Sequence, residues 1–342
     1  MSLLSLPPEL LCQLPNHLDN IESFTSAAST CRTLRAAFLT TSPSTILRLA
    51  AASAPAFFSP HPYFLIAATA HSASSWALGH QDRTNTLRHA FQGGIDALYT
   101  FCLEHGSLTL PRIRQTHLLR FSTINPLADK IDKMAGRQWS DTPDFWDGGV
   151  SEAVTLYTDA DRAAFQLIIY GELFGTSMDA FLSPEQNLPA FDVDTRLDYL
   201  TYSLPDEREP NRPDSGRFLA PYYEDQRCLR HIVRCGRWRR LWAGCIREFL
   251  DEGFGGEEGW REKLLRDALL VQGLEGMELV TRKPGVGLSG QYLERARGIR
   301  DRVNRLDGPP GVRMLGKKGV LRVSEAPDIV GELDVCFWGE WR

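Results

Sequence analysis

The sequence predicts a mostly α-helical protein, with a three-helix segment at the N-terminus followed by an irregular multi-helix body. Three observations carry that expectation. Apolar residues recur at helical spacing through most of the chain, helix-start signals come in quick succession over residues 5–39, and alternating runs of strand type are scarce. With 342 residues, 43% of them hydrophobic, the chain has the length of about two to three domains and enough apolar surface for a sizeable core.

The first helix is expected to start at Leu6-Pro7-Pro8-Glu9, because proline suits a first helical turn and Glu9 complements the helix dipole. Leu10, Leu11, Leu14 and Leu18 follow on one face. Pro15 removes a backbone donor, so this helix should stop or kink there. Asn20 can cap a second helix, Ile21 to Ser29, whose apolar members Ile21, Phe24, Ala27 and Ala28 fall at helical spacing. A third runs from Cys31 to Phe38, with Cys31, Leu34 and Phe38 on a shared face. Three helices in about 40 residues bury too small a fraction of their surface to close a core alone, so their leucines need a partner.

The order and spacing of Leu6-Pro7-Pro8-Glu9-Leu10-Leu11, Leu14, Leu18, Asn20-Ile21-Glu22-Ser23-Phe24 and Cys31-Arg32-Thr33-Leu34-Arg35 resemble an F-box. The resemblance covers about a tenth of the chain. It implies that Leu6, Pro7, Leu10, Leu11, Leu14 and Leu18, with Ile21 and Phe24 behind them, bind a Skp-type adaptor, and through it a cullin. The implied function is that of a substrate-recognition adaptor of a Skp-cullin-F-box ubiquitin ligase, without catalysis of its own, that presents a protein substrate the sequence does not identify. The alternative is an F-box helical scaffold acting outside a cullin ligase, binding an acidic protein or nucleic-acid partner through an Arg-rich helix.

Residues 1–42 form the F-box-like unit, 43–206 a first helical part, 207–217 a linker or loop, and 218–342 a helical C-terminal part with a loop-rich tail. Helices are expected near 44–54, 61–80, 84–105, 110–122 and 124–136, separated by short Pro, Gly and Ser turns. Thr158 and Asp161 form a capping signal ahead of the stripe Ala163, Ala164, Leu167, Ile168, Gly171 and Phe174. A further helix is expected over Gln291 to Leu306, and Gly308-Pro309-Pro310-Gly311 marks a loop before the tail. Blocks such as Leu108–Arg114, Phe121–Asp129, Phe145–Gly149 and Ile169–Phe174 are similar to the body of filamentous-fungal F-box proteins. No period of 20 to 50 residues is present, so the receptor surface is expected to be irregular rather than a repeat array.

Signals for chemistry are sparse. Gly285-Val286-Gly287-Leu288-Ser289-Gly290 matches a dinucleotide fingerprint but lacks the strand that should feed its first glycine, which favours an ordinary loop. Cys228, His231 and Cys235 lie at helical spacing like a zinc set, yet a fourth ligand is missing, and packed structural cysteines are the preferred reading. No metal and no cofactor are expected. Residues 227–247 hold seven arginines and no acid, and Arg234, Arg237, Trp238, Arg239 and Arg240 form a patch that could hold an acidic partner, against the plainer reading of a solvated helix face. Trp139 and Trp146 are candidate aromatic anchors in a loop. Protease, hydrolase-elbow and Walker motifs are missing from the sequence.

A formal charge of −5 gives no general attraction to nucleic acid or to an anionic membrane, and neither is the expected partner. Seven scattered cysteines without a C-x-x-C pair argue for a reducing compartment, hence the cytoplasm or the nucleus. The proline-broken N-terminus does not read as a signal peptide, and no apolar stretch approaches the roughly 20 residues that cross a bilayer.

Overall fold

The computed structural model describes residues 6–126, 128, 160–204, 229, 233, 259–281, 290–315 and 321–338. Among these the fold is mostly helical, with one small β-hairpin.

The N-terminal unit comprises α1 (Pro8–Gln13), a 3₁₀ turn (Leu14–His17), α2 (Ile21–Thr30) and α3 (Arg32–Phe38). Its core is the tilted pair Phe24 and Phe38, 4.9 Å between centroids, with Ile21, Leu34 and Leu11 buried around it. Local chemistry sets each boundary. Asn20 Oδ1 accepts the Ser23 amide at 2.8 Å, and Cys31 Sγ accepts the Leu34 amide at 3.5 Å, so both helices start on a side-chain cap.

Then α4 (Pro43–Phe57), α5 (Tyr63–Ala77), α6 (Gln81–Gln92), α7 (Gly94–His105) and α8 (Leu110–Leu119) follow through short turns, and α8 runs into a π-helical turn (Arg120–Ile124). The expected helix over 84–105 is broken. Gly94 takes φ +81°, a conformation open to glycine, and the chain restarts there as α7. The long helix α9 (Ala160–Leu182) bears the expected stripe, and α5 packs along it. Both are central: α5 buries Tyr63 through Ala70, and α9 buries Ala163 through Phe174. Thr158, the first half of the capping signal, lies outside the described residues. Asp161 Oδ1 accepts the neighbouring Arg162 amide at 2.7 Å.

Helix α10 (Val193–Asp198) continues as a second π turn (Tyr199–Ser203), and α11 (Trp260–Leu270), α12 (Gly273–Thr281) and α13 (Gly290–Arg305) follow. Strands β1 (Val312–Leu315) and β2 (Leu321–Ser324) pair antiparallel, Val312 opposite Ser324 and Leu315 opposite Leu321, and α14 (Ile329–Trp338) packs on β2. The hairpin was not anticipated, because four-residue strands are too short to show alternation. One buried apolar cluster extends from Leu11 to Leu333, so residues on both sides of the 207–217 segment share a core. That segment, like the Arg227–Arg247 patch apart from Leu229 and Val233, lies outside the described residues; those two side chains are buried.

Glycines decide the closest approach. Gly171 of α9 faces the α11–α12 turn so tightly that a Cβ there would lie 2.3 Å from the Gly273 amide nitrogen. Gly273 itself has φ +61°. The next residue on α9, Glu172, uses Oε1 to accept the Leu274 amide at 2.9 Å and Oε2 to pair with Arg112 of α8 at 2.6 Å. One buried carboxylate thus caps α12 and ties α8 to the centre.

No helix of the described residues is long and apolar enough to cross a membrane.

Candidate protein-docking face at the N-terminus

The first helix opens as its sequence requires. Pro7 is extended (φ −54°, ψ 146°), Pro8 fills the first turn where an amide would be unpaired anyway, and the Leu10 and Leu11 amides donate to the Pro7 carbonyl at 3.0 and 3.2 Å. The α-helix ends at Gln13, and Pro15 sits in the following 3₁₀ turn, the stop its missing donor demands.

That break exposes carbonyls, and Arg48 from α4 supplies the donors. Its guanidinium donates to the Pro15, Asn16 and Leu18 carbonyls at 3.3, 3.1 and 3.1 Å, while Thr45 Oγ1 donates to Asn16 Oδ1 at 3.1 Å. Orphan carbonyls at a helix end are costly unless paired, so Arg48 fixes the direction in which the first helix leaves the body.

The eight residues implicated by the resemblance divide into two groups. Leu11 is 2% exposed, and Ile21 and Phe24 are buried with it, so these three hold the unit together. Leu10, one position away, is 46% exposed, and Pro7 is exposed beside it; Leu6, Leu14 and Leu18 are half-buried along the edge. A contact surface in this conformation is therefore centred on Pro7 and Leu10 and rimmed by Leu6, Leu14 and Leu18. Consecutive side chains of a helix are about 100° apart, so adjacent leucines can take opposite environments, and packing of α1 against α3 selects Leu11 for the interior.

The other candidates are not assembled into a site. Trp139, Trp146, Arg234, Arg237, Trp238, Arg239 and Arg240 lie outside the described residues, as do Cys228, His231 and Cys235. Among the described residues no group of three or more His, Cys, Asp or Glu side chains is arranged to hold a metal ion. Cys12, Cys31, Cys102 and Cys336 are free thiols, and burial pushes the Cys102 thiol up to about 12, which leaves it protonated and inert.

The structure also contains a polar cluster that sequence reading missed. Arg196 of α10 is 1% exposed, and its Nε donates to Glu332 Oε1 of α14 at 2.7 Å, while its Nη atoms reach the carbonyls of Phe191, Ser324 and Glu325. Tyr170 donates to the other Glu332 oxygen at 2.7 Å. Alongside, Lys263 pairs with Asp328 and with Asp267. Burial, with Asp328 nearby, pushes the Asp267 carboxyl up to about 7 against the opposing pull of Lys263 and Arg266. All three guanidinium nitrogens of Arg196 and both oxygens of Glu332 are engaged within the fold, so this pair clamps the tail onto the body. The sequence signal was no more than two opposite charges 136 residues apart.

Comparison with protein-family models, curated proteins and solved structures finds no match for this chain.

Proposed function

We propose that the chain is a substrate-recognition adaptor of a Skp-cullin-F-box ubiquitin ligase, docking through residues 6–24 on a Skp-type adaptor. The observation that carries this reading is the division of neighbouring leucines in α1: Leu11 anchors the unit while Leu10 and Pro7 stand outside it. A short, proline-started helix with an apolar outer edge suits a groove between helices of a partner, where each leucine side chain contributes about 1.5–3 kcal/mol on full burial.

On this reading α4 holds the docking helix at a set angle through Arg48, and the helical body beyond it presents a protein substrate. The mechanism is proximity. A substrate held on the body has its lysines at high effective concentration near the charged conjugating enzyme, and the chain itself needs no catalytic residue.

The test is co-expression with a Skp-type adaptor and a cullin. The account expects one co-eluting complex that survives high salt, because the contact is apolar. An adaptor that elutes separately from a folded chain overturns the proposal, and an adaptor complex that excludes the cullin replaces it with a scaffold acting outside the ligase.

A further inference from the structure

We infer that the outer face of α8 and the π turn behind it docks an acidic peptide segment that carries large apolar side chains. Leu118 is 59% exposed and Phe121 63% exposed, three residues apart and therefore on one face, with Arg114 one turn before them. Such a pair adds little to the fold's own stability. The Phe121 ring is nonetheless placed: the His117 imidazole stacks at 6.4 Å between centroids, and the Arg120 guanidinium lies over the ring at 5.6 Å.

Charge selects the partner. Residues 105–128 contain no Asp or Glu, and among the described residues only Arg112, of the three arginines in the segment, is neutralised, by Glu172 on the inner side. Among the described residues Arg114 and Arg120 make no ion pair, and Arg120 Nε is buried without a hydrogen-bond partner. Two guanidiniums without an ion pair among the described residues, beside an exposed Leu–Phe pair, complement carboxylates interleaved with apolar side chains. The backbone widens into a π turn at this position, a departure from regular helix that recurs at functional sites. The surface lies on α8, apart from the N-terminal helix, so the inference stands whether or not residues 6–24 bind an adaptor.

The experiment titrates the full-length protein into a short fluorescein-labelled peptide in which glutamates alternate with leucine and phenylalanine, read by anisotropy. Saturable binding is expected, weakened about tenfold or more by Arg114→Glu, by Phe121→Ser, and by glutamine in place of the peptide's glutamates. Melting temperatures should not move, since these side chains are exposed; if Phe121→Ser does lower them, Leu118→Ser takes its place. No binding, or binding indifferent to the substitutions, overturns the inference. Retention by phosphatidylserine vesicles through Arg114 and Phe121, without peptide binding, also overturns it and marks the face as a membrane contact.

Discussion

Replacing Gly171 with alanine probes the close backbone approach between α9 and the α11–α12 turn. The new Cβ would lie 2.3 Å from the Gly273 nitrogen and 2.7 Å from its Cα, well inside contact distance. Both obstacles are backbone, so no rotamer change relieves the clash, and the α11–α12 turn must move away from α9. Moving it strains the 2.9 Å bond by which Glu172 caps α12. Overpacking costs about 1–3 kcal/mol and loss of a helix cap about 0.5–2 kcal/mol, so a loss of about 2–4 kcal/mol is expected. Urea unfolding followed by circular dichroism measures it. The control is Gly298→Ala on α13, where a Cβ meets nothing within 4 Å; it should be neutral or stabilise by up to about 1 kcal/mol, from helix propensity. If Gly171→Ala costs no more than Gly298→Ala, the packing argument fails.

Three further outcomes follow from the buried polar groups. Glu332→Ala should cost about 3–5 kcal/mol by leaving Arg196 buried and unpaired, whereas Arg196→Met with Glu332→Leu should recover most of that loss in the same unfolding assay. Burial, together with Arg120, holds the His117 imidazole below the ordinary histidine range, so the unfolded chain binds the proton first. Stability should therefore fall as pH drops through about 6.5, and His117→Gln should flatten that slope. Asp267 works in the opposite direction: its folded-state value of about 7 exceeds the unfolded one, so its contribution is full below about pH 4 and lost as pH rises through 7. Asp267→Asn should accordingly be most favourable above pH 7, and a variant equally stable relative to the parent at pH 4 and pH 8 would contradict the assignment.

The helices of residues 6–126 were readable from the sequence because their boundaries are written in local chemistry. Asn20 caps, Pro8 starts a helix, Pro15 stops one, and each acts within a few residues of itself. What was not readable depends on residues far apart. The break at Gly93–Gly94 is hidden in a pattern that stays helical on both sides, and nothing local couples Arg196 to Glu332 or Glu172 to Leu274. Periodicity placed Leu10 and Leu11 on the same candidate face; only packing against α3 decides that Leu11 points in and Leu10 out.

The central claim is tested most directly by calorimetric titration of the full-length chain with a Skp-type adaptor, comparing the parent with Leu10→Ser and Arg114→Glu. The account predicts tight binding by the parent and by Arg114→Glu. For Leu10→Ser, whose side chain is 46% exposed in the free protein, it predicts unchanged stability and affinity weakened by about 1–3 kcal/mol, or roughly 5- to 150-fold. A folded parent that does not bind, or a Leu10→Ser variant that binds as tightly as the parent, would contradict it.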